Sequence, residues 1–128
     1  MFEVYIDGAS AGNPGFSGAG IFIKGNKVVE EYSIPLGYMN NHQAEFHALI
    51  HALEICHSKK YSVVSIRTDS KIVCDSIEKK FVKRDEFKPL LQKILTMIES
   101  FDLFFIKWIP EKKNLHADRL ARAAIHKN

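Results

Sequence analysis

Asp7, Glu45, Asp69 and Asp118 each interrupt apolar sequence where a strand is expected to end or a helix to begin. A lone carboxylate is costly to bury there, because it loses its hydration and gains no partner. Four of them within 128 residues point to a shared cationic partner. A pair of divalent metal ions fits that role, since carboxylate oxygens are hard ligands that suit Mg²⁺. Taken singly, each acid has an ordinary explanation. Glu45 and Asp118 suit helix N-termini, where the backbone dipole favours negative charge, and Asp69 before Ser70 suits a helix cap. Those explanations do not cover all four at once.

Hydrophobic periodicity supplies the elements that would position the acids. Phe2, Val4 and Ile6 alternate with Glu3, Tyr5 and Asp7, a strand pattern that Asp7 would end, followed by a glycine-rich loop over residues 8–20. Residues 20–24 and 28–34 flank Gly25-Asn26-Lys27, a turn with the residues a hairpin needs at positive φ. After Asn40-Asn41 the period becomes helical, with Ala44, Ala48, Leu49, Ala52, Leu53 and Cys56 on one stripe. Glu45, in the first turn, would face the sheet. Residues 63–68 form the next strand, ended by Asp69, with a short helix after it. Asp85 is expected to cap a further helix that tolerates Pro89 in its first turn. Residues 103–109 read as a last strand and residues 117–125 as a last helix, with Asp118 at its start. Strands one and four as parallel neighbours would bring Asp7 and Asp69 to one edge of the sheet, where two helix starts add the other acids. The class is α/β, a mixed sheet with helices on its faces.

Length and composition set the frame. A chain of 128 residues is read as one domain, residues 1–128, able to bury about two-thirds of the surface its unfolded form exposes. No apolar run approaches the roughly 20 residues of a membrane span, and the first residues read as a strand, so a cytoplasmic protein with no membrane partner is expected. Cys56 and Cys74 lack a metal or redox spacing and read as reduced core residues. The net charge of +3 divides unevenly, as −2, +2 and +3 over residues 1–70, 71–110 and 111–128. Lys79, Lys80, Lys83, Arg84 and Lys88 cluster, as do Lys112, Lys113, Arg119 and Arg122. These stretches would suit a phosphate backbone, although solvated surface explains them equally. His47 and His51 stand four apart on the polar stripe with no third ligand in view, and Trp108 reads as a strand residue packed on the sheet.

The motifs in order resemble the type 1 ribonuclease H family over nearly the whole chain. They are Ile6-Asp7-Gly8, Gly12-Asn13-Pro14-Gly15, Ala44-Glu45, Arg67-Thr68-Asp69-Ser70, Asn114 and Ala117-Asp118 with Leu120-Ala121. The resemblance implies the ribonuclease H-like fold, with a five-stranded mixed sheet of order 3-2-1-4-5 and helices on both faces. It implies an endonuclease that cuts the RNA strand of RNA–DNA hybrids, leaving 5′-phosphate and 3′-hydroxyl ends. Asp7, Glu45, Asp69 and Asp118 match the family's metal-binding acids, for two Mg²⁺ ions with Mn²⁺ as a substitute. Such ions about 4 Å apart would flank the scissile phosphate, Asp7 bridging them.

Only the 2′-hydroxyl tells RNA from DNA at a given nucleotide. The resemblance places Ser10, Asn13 and Asn41 at the minor groove, with Gln43, Ser70 and Asn114 beside them and Lys83 and Arg84 on the DNA strand. The chain reads as a short form of the family. The histidine-containing loop before the last acid is missing, which leaves His116 or Glu111 as auxiliary groups. His42 replaces a common asparagine, and residues 81–84 form only a shortened basic handle. Two other readings remain: a hybrid-binding domain with weak or no catalysis, and a related nuclease acting on single-stranded or structured RNA. A monomer is expected.

Overall fold

Alternating apolar side chains draw β1, Phe2–Ser10, into the centre of a five-stranded sheet of order β3-β2-β1-β4-β5. The computed structural model describes residues 1–128. β2, Gly15–Gly25, and β3, Val28–Met39, run antiparallel beside β1, joined by a turn in which Gly25, Asn26 and Lys27 all have positive φ. β4, Val63–Thr68, and β5, Leu103–Trp108, extend the other side in parallel. Four helices complete the fold: α1, Asn41–Ser58; α2, Lys71–Lys79; α3, Lys88–Ile98; and α4, Leu115–Ile125. The strand order is the one the family resemblance implies, and none of the helices is long and apolar enough to cross a membrane.

The core lies between α1 and the sheet. Val4, Ile6, Ile21, Ile23, Val64 and Ile66 meet Phe46, Leu49 and Leu53 of α1, with Val73, Phe87 and Ile94 closing the layer behind them. Each large apolar side chain buried in this way contributes about 1.5–3 kcal/mol. All six residues of the expected α1 stripe are buried, and both cysteines are buried and unpaired. α4 covers the opposite face across β2.

Several boundaries differ from expectation. Residues 8–20 are mostly strand, since β1 runs to Ser10 and β2 begins at Gly15. Gly8, Gly18 and Gly20 mark close helix approach, whereas Gly12 and Gly15 meet across the remaining loop: a Cβ on Gly20 would lie 2.0 Å from the Ala117 carbonyl oxygen of α4. Asp7 therefore lies within β1 rather than at its end. Asp85 does not cap α3. It opens a single 3₁₀ turn, Asp85–Phe87, and pairs with Lys88 at 2.7 Å. The last helix starts at Leu115, after another 3₁₀ turn, Glu111–Lys113, so Asp118 is in its first turn. Trp108, at the end of edge strand β5, is exposed rather than packed, with its Nε1 donating to the Asp69 carbonyl.

Candidate active site

Three backbone juxtapositions bring the acids together. In the parallel pair β1 and β4, Ile6 stands beside Thr68, so the following residues, Asp7 and Asp69, are neighbours. Asp7 pairs across to Gly20 on β2, and Gly20 lets α4 settle with the Ala117 carbonyl against it, which sets Asp118 beside Asp7. Gly8 does the same for α1 on the other face: a Cβ there would lie 2.4 Å from the Ala44 carbonyl, so Glu45 enters from that side. The first turn of α1 is held by a reciprocal cap in which Asn40 Oδ1 accepts from the Gln43 amide and Gln43 Oε1 accepts from the Asn40 amide. Glycine is needed at positions 8 and 20 because backbone must touch backbone there.

The result is one open cleft of about 280 Å³ lined by Asp7, Glu45, Asp69, Glu111 and Asp118, with Ser10, Asn41 and Arg122 at its margin. Burial pushes the Asp7 carboxyl up to about 9, helped by the charges of Asp69, Asp118 and Glu45 and a hydrogen bond with Asp118. Burial also raises Glu45, against hydrogen bonds from His42 and Ser70 that lower it. Asp69 is raised by burial, then lowered by Asn114 and raised again by Glu111 and Asp118. Asp7 is thus a half-buried carboxyl with acids around it and no cation in contact. A divalent cation would relieve that repulsion, and an all-oxygen donor set fits one.

The other three acids hold local partners. His42 Nδ1 lies 2.9 Å from Glu45 Oε1, Asn114 Nδ2 lies 3.2 Å from Asp69 Oδ2, and Arg122 Nε lies 3.0 Å from both oxygens of Asp118. No three of these acids, nor any other three His, Cys, Asp or Glu residues, converge closely enough to ligate one ion as they stand. Loading would therefore turn carboxylates away from these partners and toward the ion.

Some residues assigned to substrate contact have other work. Asn114 is buried, donates to the Ile6 carbonyl at 2.8 Å as well as to Asp69, and so ties the start of α4 to β1 and to the end of β4. Its Oδ1 is buried without a partner. Ser70 is buried and caps α2, and Gln43 is engaged in the α1 cap. These three side chains thus also serve caps and the interior, and Ser70 hydrogen-bonds Glu45 as well. Asn13 Oδ1 accepts from the Asn41 amide at 3.1 Å, an exposed pair that joins the loop between β1 and β2 to α1. Lys83 and Arg84 are exposed on the connection between α2 and α3 and do not line the cleft. Arg84 pairs with Glu86 and lies over the Phe87 ring.

His116 stacks on Phe22 with ring centroids 3.8 Å apart, pairs with Glu31, and does not line the cleft, whereas Glu111 does. Arg122 and His42 are readable only by spacing, as hydrogen-bonding partners one helical turn from Asp118 and Glu45.

Residues 6–124 match the family model described as reverse transcriptase-like. A protein of Enterococcus faecalis named as a hydrolase, EbsB, is 40% identical over 129 residues, covering 99% of this chain and 96% of its own length. Ribonuclease H of Chlorobium phaeobacteroides is 33% identical over 141 residues, covering 98% of this chain and 95% of its own. Among solved structures, RNase H1 of Halobacterium salinarum superimposes with a TM-score of 0.92 at 29% identity, covering 99% of this chain and 98% of that one. LC11-RNase H1 in complex with an RNA/DNA hybrid gives 0.89 at 31% identity, again with 99% and 98% coverage.

Proposed function

Because this chain belongs to the ribonuclease H family, we propose that it hydrolyses the RNA strand of RNA–DNA hybrids, with Asp7, Glu45, Asp69 and Asp118 holding two divalent cations. The observation that carries the proposal is the convergence of those four acids, from two strands and two helices, on one cleft. LC11-RNase H1, a neighbour of the same fold, was solved with an RNA/DNA hybrid, which supports that substrate here.

When bound, two Mg²⁺ ions, or Mn²⁺ in their place, supply electrostatic stabilisation of the charge that develops on the scissile phosphate and its leaving oxygen. Asp7, in the central strand with the other acids around it, would be shared between the two ions. Asn114 keeps Asp69 oriented by gripping one of its oxygens while anchored to the Ile6 carbonyl. Water attacks phosphorus in line, the bond to the 3′-oxygen breaks, and that oxygen takes up a proton, leaving 5′-phosphate and 3′-hydroxyl ends. Glu111, at the cleft margin, is positioned to take part in that proton traffic. Ser10 and Asn41, which line the cleft, and Asn13, bonded to the Asn41 amide, test the 2′-hydroxyl, while Lys83 and Arg84 attract the DNA backbone. Residues 1–128 act as one monomeric domain.

The placement of His116 away from the acids favours a second reading, hybrid binding with feeble turnover. Asp69→Asn distinguishes the two. It keeps the shape and removes a charge, so turnover falls by orders of magnitude while hybrid affinity persists. Unchanged turnover in that variant would contradict the assignment of the acids.

A further inference from the structure

Arg122 is the one cation among the side chains that line the acidic cleft. It stands one turn after Asp118 on α4, and its Nε lies 3.0 Å from both Asp118 oxygens. Its side chain is 71% exposed, against 30% for Asp118. The carboxylate end of the pair is thus partly enclosed, while the guanidinium reaches it from solvent on a long, flexible stem. An exposed ion pair of this kind is weak, about 0.2–1 kcal/mol, and exchanges easily.

Two demands meet at Asp118. To ligate a divalent ion, its oxygens must turn from Arg122 to the ion. Once they do, a cation remains at the lip of the cleft with no partner, where the polyanionic substrate must enter. The guanidinium fork, always charged and built to bond two oxygens at once, suits a phosphate there. We propose that Arg122 is an exchangeable counter-ion. It occupies Asp118 until a divalent cation displaces it, and then binds a phosphate of the RNA strand next to the scissile one. The inference rests on the hybrid-cleaving reading for its second half only, since the exchange with metal needs no substrate.

A purely structural role for Arg122, fixing Asp118 in place, makes the opposite prediction for metal. Removing a fixing residue weakens metal binding, whereas removing a competitor tightens it. The experiment is calorimetric titration of Mn²⁺ into the wild-type chain, Arg122→Ala and Arg122→Lys, beside the salt dependence of hybrid affinity measured with Ca²⁺. Arg122→Ala is expected to bind Mn²⁺ about two- to fivefold tighter, the fold-change that loss of a 0.2–1 kcal/mol competing pair gives. Its log–log salt slope for the hybrid should shrink by about 1, and KM should rise more than kcat falls. Arg122→Lys should restore the slope, because the charge returns, with only part of the affinity. Weaker or unchanged Mn²⁺ binding in Arg122→Ala, with native thermal unfolding, would overturn the exchange. An unchanged salt slope would overturn the phosphate contact. Should the wild-type chain neither bind nor cut the hybrid, the reading of function fails, while the Mn²⁺ titration still decides whether Arg122 competes for Asp118.

Discussion

At the carboxylate cleft backbone meets backbone: α4 lies on Gly20, α1 lies on Gly8, and Asn114 reaches from the start of α4 to the Ile6 carbonyl. In the connection over residues 80–84, by contrast, Phe81, Lys83 and Arg84 extend into solvent, and only Val82 is buried. The cleft is fixed by contacts that tolerate no added atom. The basic connection is held by one inward residue and a local ion pair between Arg84 and Glu86. The difference separates two tasks. In-line chemistry needs side chains held to a fraction of an ångström, whereas attraction to a phosphate backbone needs only charge in roughly the right place.

The largest expected effect comes from changing one side chain in each region. Gly20→Ala puts a Cβ 2.0 Å from the Ala117 carbonyl oxygen and 2.5 Å from the Ala121 amide nitrogen, both backbone atoms that cannot step aside. We expect a loss of about 3 kcal/mol in denaturant unfolding, and loss of turnover beyond what the residual folded fraction explains. Phe81→Ala, in the loose region, should change stability by less than about 0.5 kcal/mol. Equal effects of the two would erase the distinction.

Asn114→Ala comes next in size. It frees Asp69 and leaves the buried Ile6 carbonyl without its donor, a cost of about 1–3 kcal/mol that loss of the partnerless Asn114 Oδ1 partly offsets. Turnover should fall more than KM rises. A variant that loses stability but keeps turnover would mean that Asn114 serves the fold alone.

A different kind of effect, read against pH, is expected from the charge on Asp7. Its folded value of about 9 lies above the ordinary 3.8, so between those values the folded chain holds a proton that the unfolded chain has released. Raising the pH through that window therefore removes stability from the metal-free protein, and the loss is complete above about 9. Unfolding temperature in EDTA should drop from pH 5.5 to pH 8.5, and the rise that Mg²⁺ or Mn²⁺ produces should grow over the same interval. A metal-induced rise independent of pH would show that Asp7 is not where the ion binds.

Replacing Lys83 and Arg84 together by Ala should have the mildest consequence. The log–log salt slope of hybrid binding is expected to shrink by up to about 2, with turnover at saturation nearly intact. A collapse of saturated turnover would move the connection into the site and remove the contrast between the two regions.

How much of this could be read from sequence follows the same division. The four acids were legible because each interrupts an apolar pattern, and the sheet order followed from the motifs that carry the family resemblance. Gly8, Gly18 and Gly20 read as loop in the sequence, because a glycine that admits a helix onto a strand looks, in one dimension, like a glycine that turns a chain. For the same reason Asp7 was placed at a strand end when it lies within β1. Asn114, Ser70 and Gln43 carry side chains that suit substrate contact, caps or buried ties, and only the third dimension reveals the caps and the tie. His116 was tempting for its nearness to Asp118 in sequence, yet it stacks on Phe22 of β2 and pairs with Glu31 of β3. Arg122 was seen as one more basic residue, and the helical spacing that joins it to Asp118 carried the missed signal.

The most direct test of the account is a labelled RNA–DNA hybrid offered beside matched double-stranded RNA, double-stranded DNA and single-stranded RNA, each with Mg²⁺, Mn²⁺ or EDTA. The account predicts cutting confined to the RNA of the hybrid, present with either metal and abolished by EDTA. Binding of the hybrid without cutting in either metal, or preferential cutting of single-stranded RNA, would contradict it.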